Sequence, residues 1–72
     1  MIVVNLLAAA SPTTLANKAL TETMFRASEI ERDGNPEAAI AEYEEFLLQE
    51  LPDLHRGIAV GEIERLRANG RP

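Results

Sequence analysis

The stretch Arg32-Asp-Gly-Asn-Pro-Glu-Ala-Ala-Ile-Ala-Glu-Tyr-Glu-Glu-Phe-Leu47 (RDGNPEAAIAEYEEFL) decides the fold. Gly34 supplies the left-handed backbone on which helices commonly end. Asn35-Pro36 then supplies an N-cap side chain and a proline suited to the first helical position. Glu37 stands at the positive end of the helix dipole. A second helix is therefore expected from about Pro36 to Glu50. Ala39, Ile40, Tyr43, Phe46, Leu47 and Leu51 share one side of it, and Glu37, Glu42, Glu44 and Glu45 share the other. The pattern is that of an amphipathic helix with one anionic face. Leu48 stands among the glutamates and is a candidate contact with another protein.

Upstream, Ser11-Pro12 repeats the N-cap and proline signal, and a first helix is expected over about Thr13 to Asp33. At 100° per residue, Ala19, Leu20, Thr23, Ala27 and Ile30 fall on one face. Thr21, Met24, Phe25, Ser28 and Arg32 fall on a second, which sets Phe25 away from the main apolar stripe. These five are candidate partner contacts.

Downstream, Pro52 disfavours helical geometry at Leu51 and so ends the second helix. Asp53 can cap a third from about Leu54 to Ala68, with Arg65 and Arg67 at its negative end and Gly70 closing it. This helix is apolar on two sides. Ala59, Val60, Ile63 and Leu66 spread over one, while Leu54, Gly57, Ile58 and Gly61 lie roughly opposite. The glycines weaken the helix by about 1 kcal/mol each against alanine but leave room for another backbone. Val60 and Ile63 are added to the candidate contacts, and His55 is expected at the surface.

The apolar run of residues 1–10 (MIVVNLLAAA) precedes all of this. Ile2, Val3 and Val4 are β-branched and favour extended structure. The run reads as an arm docked on another surface, with an early helical turn or a cleaved or membrane-associated leader as alternatives. It lacks the basic start of a secretory signal and is short of the ~20 residues a membrane-spanning helix needs.

The chain has 72 residues and no cysteine, with 7 Lys and Arg against 12 Asp and Glu for a net charge of -5. A domain of this size is marginal alone and commonly needs a disulfide, a metal or a partner chain. Without cysteine, and with a single histidine, a partner is the staple that remains. The acidic balance argues against nucleic acid and anionic membranes as partners. No phosphate-binding glycine loop, dinucleotide fingerprint or zinc-protease motif occurs. Glu31, Asp33, Asn35 and Glu37 alternate, but Pro36 interrupts them and the spacing is not that of a calcium loop. No catalysis, cofactor or metal is expected.

Residues 20–52 resemble a tetratricopeptide repeat, a helix-turn-helix of about 34 residues with a small-then-aromatic pair in its second helix and a following proline. Gly34 falls at the turn, Ala39 and Tyr43 form the pair, Leu47 follows on the same face, and Pro52 comes one residue late. The family's aromatic, leucine, glycine and tyrosine positions fall on Thr23, Arg26, Ala27 and Ile30. In that family the inner helix surface holds peptides or helices of other proteins. Carried over, that surface is Thr21, Met24, Phe25, Ser28 and Arg32, the second face already found from periodicity.

The expected architecture is one all-α domain over residues 11–70: a repeat-like hairpin and a third packing helix, preceded by the arm. The expected function is non-catalytic protein binding as a small cytoplasmic accessory or adaptor subunit of a larger complex. The alternatives are a chaperone or inhibitor gripping a basic partner through the acidic helix face, and a self-assembling homo-oligomer.

Overall fold

The computed structural model describes residues 12–69, with side chains from Thr13 onward. The arm, with Ile2, Val3 and Val4, lies outside the described residues. Three helices follow in order: α1 (Pro12–Arg32), α2 (Pro36–Phe46) and α3 (Asp53–Asn69). No strand occurs among the described residues, and the all-α hairpin with a packing helix is the architecture observed.

The first turn forms as its residues require. Gly34 takes φ +89°. The Gly34 amide donates to the Glu31 carbonyl at 2.9 Å, and the Asn35 amide donates to the Ile30 carbonyl at 3.2 Å. These two bonds form a Schellman motif, which satisfies carbonyls left open at a helix end. The Asn35 side chain then accepts from the Ala38 amide at 3.2 Å and caps α2. One helix is thus stopped and the next started within a few residues.

The second connection departs from expectation. α2 ends at Phe46, short of Glu50. The Leu48 amide bonds the Glu45 carbonyl at 3.1 Å, and the Gln49 amide bonds the Phe46 carbonyl at 3.2 Å. These i to i−3 bonds tighten the chain into 3₁₀-type turns. Leu47 and Leu51 pack against the core beside them. The Pro52 carbonyl accepts the first helical bond of α3 from the Arg56 amide at 3.1 Å. Asp53 is therefore inside the first turn of α3, not its cap, and its carboxylate favours the positive end of the dipole.

The core is built from small and large residues in alternation. Ala27, Ala39 and Ala59 let the helices approach closely, while Tyr43, Phe46, Ile63 and Leu66 fill the space between them. α2 packs on both other helices, and α1 and α3 touch each other far less. Burial pushes the pKa of the Tyr43 hydroxyl up. The face of α1 expected inside is inside: Leu20, Thr23 and Ala27 are buried, and Ala19 and Ile30 pack against the cluster.

On α3 two expectations fail. Ile63 is 6% exposed and belongs to the core, so it cannot be a surface contact. His55 is 4% exposed, not at the surface. Their common cause is the row His55, Ala59, Ile63, Leu66, which α3 turns toward the other helices. The apolar half of α3 is broad enough to be turned either toward Val60 or toward His55. The structure takes the second option and leaves Val60 exposed.

Phe46→Ala is expected to cost about 3–5 kcal/mol by cavity formation, and Phe25→Ala less than ~0.5 kcal/mol as a surface change. Urea unfolding of the two variants checks the contrast.

Candidate functional site

α1 and α3 are joined chiefly by two polar clasps. At one end His55 Nε2 and Asn17 Oδ1 are 2.6 Å apart. The amide oxygen accepts, so the imidazole donates from Nε2. His55 Nδ1 is buried with no partner among the described residues. At the other end Arg65 donates from both Nη atoms to the Glu31 carboxylate at 3.1 Å each, and again to Glu62 Oε1 at 2.9 Å. The hydrogen bond from Arg65 holds the Glu31 carboxyl below the usual carboxylate range. Both clasps join like ends, so α1 and α3 run parallel, with α2 antiparallel behind them.

The helical period gives what lies between the clasps. On α1 the row from Asn17 to Glu31 passes through Thr21, Met24 and Ser28. On α3 the row from His55 to Arg65 passes through Ile58 and Glu62. Met24 and Ile58 are each 37% exposed and line the seam. Beyond the seam, facing away from α2, stand Phe25 at 71% and Leu54 at 70% exposed, with Gly57 and Gly61. Nothing lies within 4 Å of where a Cβ would stand on either glycine. A shallow depression of about 250 Å³ is lined by Thr21, Met24, Phe25 and Ser28. None of these four carries a charge.

The structure therefore brings together Thr21, Met24, Phe25 and Ser28, with Arg32 continuing their side of α1. Leu48 is 85% exposed but sits at the end of α2, apart from this face. Val60, at 44% exposed, is on its far margin on α3. Leu54 and Ile58 are exposed apolar residues of the face that the sequence grouping placed opposite Val60 without choosing them as contacts. Their signal is the second apolar side of α3, legible once its burial direction is known.

A second depression of about 440 Å³ lies at the α2–α3 connection, lined by Glu50, Leu51, Pro52 and Arg56. Arg56 there donates to the Gln49 carbonyl at 3.2 Å. The remaining ion pairs, Arg26 with Glu42 at 2.8 Å and Arg67 with Glu44 at 3.5 Å, tie α2 to its neighbours. Among the described residues no three His, Asp or Glu side chains form a group that could hold a metal ion. No described helix is long and apolar enough to cross a membrane. No family model matches the chain, and neither a curated protein nor a solved structure matches it.

Asn17→Ala strips His55 of its one partner and is expected to cost about 1–3 kcal/mol, the range for a stranded buried polar group. Thermal or urea unfolding measures it. Because the pKa of Glu31 is lowered in the fold, its contribution is present above the unfolded carboxylate range and is lost as pH falls through the folded value. The stability gap between wild type and Glu31→Gln should therefore be open at neutral pH and close in acid, as read by urea midpoints across that range.

Proposed function

We propose that this chain is a small, non-catalytic, cytoplasmic protein-interaction module. It acts as an accessory subunit of a larger protein assembly, and its contact surface is the α1–α3 face. The observation that carries this reading is Phe25. A phenylalanine 71% exposed beside half-exposed Met24, on a surface with no charge between them, is apolar area that water disfavours. Each such side chain stabilises a complex by roughly 1.5–3 kcal/mol when buried, before association costs are subtracted. An aromatic anchor amid smaller neighbours is the usual form of a binding hot spot.

The resemblance of residues 20–52 to a tetratricopeptide repeat supports the same surface, because it independently selects Thr21, Met24, Phe25, Ser28 and Arg32 as the ligand-holding side. On this reading the chain is a single degenerate copy whose stack is completed by other chains, since repeats of this kind share a core between neighbours.

Phe25→Glu places a charge on the α1 side of the face without touching the core. Tagged wild-type and Phe25→Glu chains, matched for unfolding midpoint, are to be compared in pull-downs from the native cell extract. A protein retained by wild type and lost by the variant is expected. Identical recovered sets would refute the reading of the chain as an accessory subunit held through this face.

A further inference from the structure

The charges bordering the α1–α3 face are sorted by helix. On α1, Lys18, Phe25 and Arg32 stand at i, i+7 and i+14 and so form one row. On α3, Asp53, Gly57, Val60 and Glu64 stand at i, i+4, i+7 and i+11 and form another. Lys18, Arg32, Asp53 and Glu64 are all exposed. None of the four makes an ion pair among the described residues, whose pairs use Arg26, Arg65 and Arg67 instead. One border is thus basic at both ends with an aromatic ring between. The other is acidic at both ends with glycine between. Glu22 and Glu29 lie further round, flanking Arg26 at i−4 and i+3.

We infer that the occupant of this face is a second copy of the chain, stacked face to face about a two-fold axis parallel to the helices. The inference rests on reading the α1–α3 face as a contact surface. Such an axis sets α1 of each copy against α3 of the other and keeps heights along the helices unchanged. Every contact then occurs twice, as an isologous interface requires. The two clasps fix the heights. The clasps are 14 residues apart on α1 and 10 on α3, about 21 and about 15 Å at ~1.5 Å per residue, so with their midpoints matched Met24 is level with Val60 and each clasp spans the remaining offset of about 3 Å with its side chains. Phe25 is therefore level with Gly61. In the stacked pair its ring enters the notch at Gly57 and Gly61 of the second copy, where no atom lies within 4 Å of a missing Cβ. Lys18 comes nearly level with Asp53 of the second copy, and Arg32 stands about one turn, ~6 Å, past Glu64, an offset its long side chain can span. A copy turned end for end, about an axis across the helices, sets α1 against α1 and α3 against α3 instead, so that like charges meet and Phe25 leaves the glycines. Opposite charges along an apolar seam select partner and orientation in the same way in coiled coils.

Sedimentation of the full chain over a concentration series tests this. Wild type should run at twice the chain mass of 7.9 kDa, falling toward one chain on dilution. Phe25→Glu should run at one chain mass at every concentration. Gly61→Leu should do the same by filling the notch, and because it places a better helix former at an exposed site it should retain or raise the unfolding midpoint. The charge sets give the sharpest result. Lys18→Asp with Arg32→Asp, and separately Asp53→Lys with Glu64→Lys, should each be monomeric alone and should form a dimer when mixed, since each then presents one sign to the other. A monomeric wild type, a dimer indifferent to Gly61→Leu, or charge-reversed chains that fail to dimerise on mixing would each overturn the proposal. A monomeric wild type combined with a prey lost on Phe25→Glu would overturn the dimer alone. A dimer with an unchanged prey set would overturn the wider reading alone.

Discussion

The structure depends on the burial of two rings from one short helix. Tyr43 and Phe46 stand a single turn apart on α2, each 2% exposed, and they meet both other helices across alanines. Ala39 beside them is fully enclosed. A larger residue there would separate α2 from its neighbours and open the space the rings fill, and cores tolerate overpacking about as poorly as cavities. With few aromatics in the chain, no other pair could take their place.

The shortness of that helix explains the exposed face. α2 has 11 residues against 21 in α1 and 17 in α3. It can cover one side of each longer helix, and no further described element is present to cover the other. Asn17–His55 and Glu31–Arg65 then tie α1 to α3 along that open side. Both are polar, and the second is partly solvated, with Arg65 43% and Glu31 32% exposed. Exposed pairs of that kind contribute less than about 1 kcal/mol. They set the register of the two helices more than they hold them together. The result is a nearly flat surface with a fixed height relation between Phe25 on one wall and the glycines on the other.

Charge is distributed in keeping with this division. Most of the glutamates on α2 face outward, and Glu42 and Glu44 are drawn to Arg26 and Arg67 of its neighbours. Paired across elements in this way, they link α2 to α1 and to α3. Lys18, Arg32, Asp53 and Glu64, in no ion pair among the described residues, are set toward the ends of the open face, where a covering surface can meet them. Association through such a face combines an apolar centre, which supplies most of the free energy, with a rim that selects orientation.

Local chemistry determined much of this from sequence alone. Gly34, Asn35 and Pro36 act through backbone geometry and hydrogen bonds to neighbours in the chain, so the stop of α1 and the start of α2 needed no tertiary information. The inward face of α1 was equally legible, because its apolar residues repeat at one clear angle. The end of α2 was not, since the stop signal along the chain is Pro52 and the helix already gives way after Phe46 to 3₁₀-type turns at Leu48 and Gln49. Nor was the rotation of α3. Its apolar residues allow two burial directions, and the choice falls to a contact distant in sequence, the hydrogen bond from His55 to Asn17. That bond puts a histidine and Ile63 inside and leaves Leu54, Ile58 and the glycines outside. Half of the candidate face could therefore be read along the chain on α1, and the other half came into being only when α3 was turned against it.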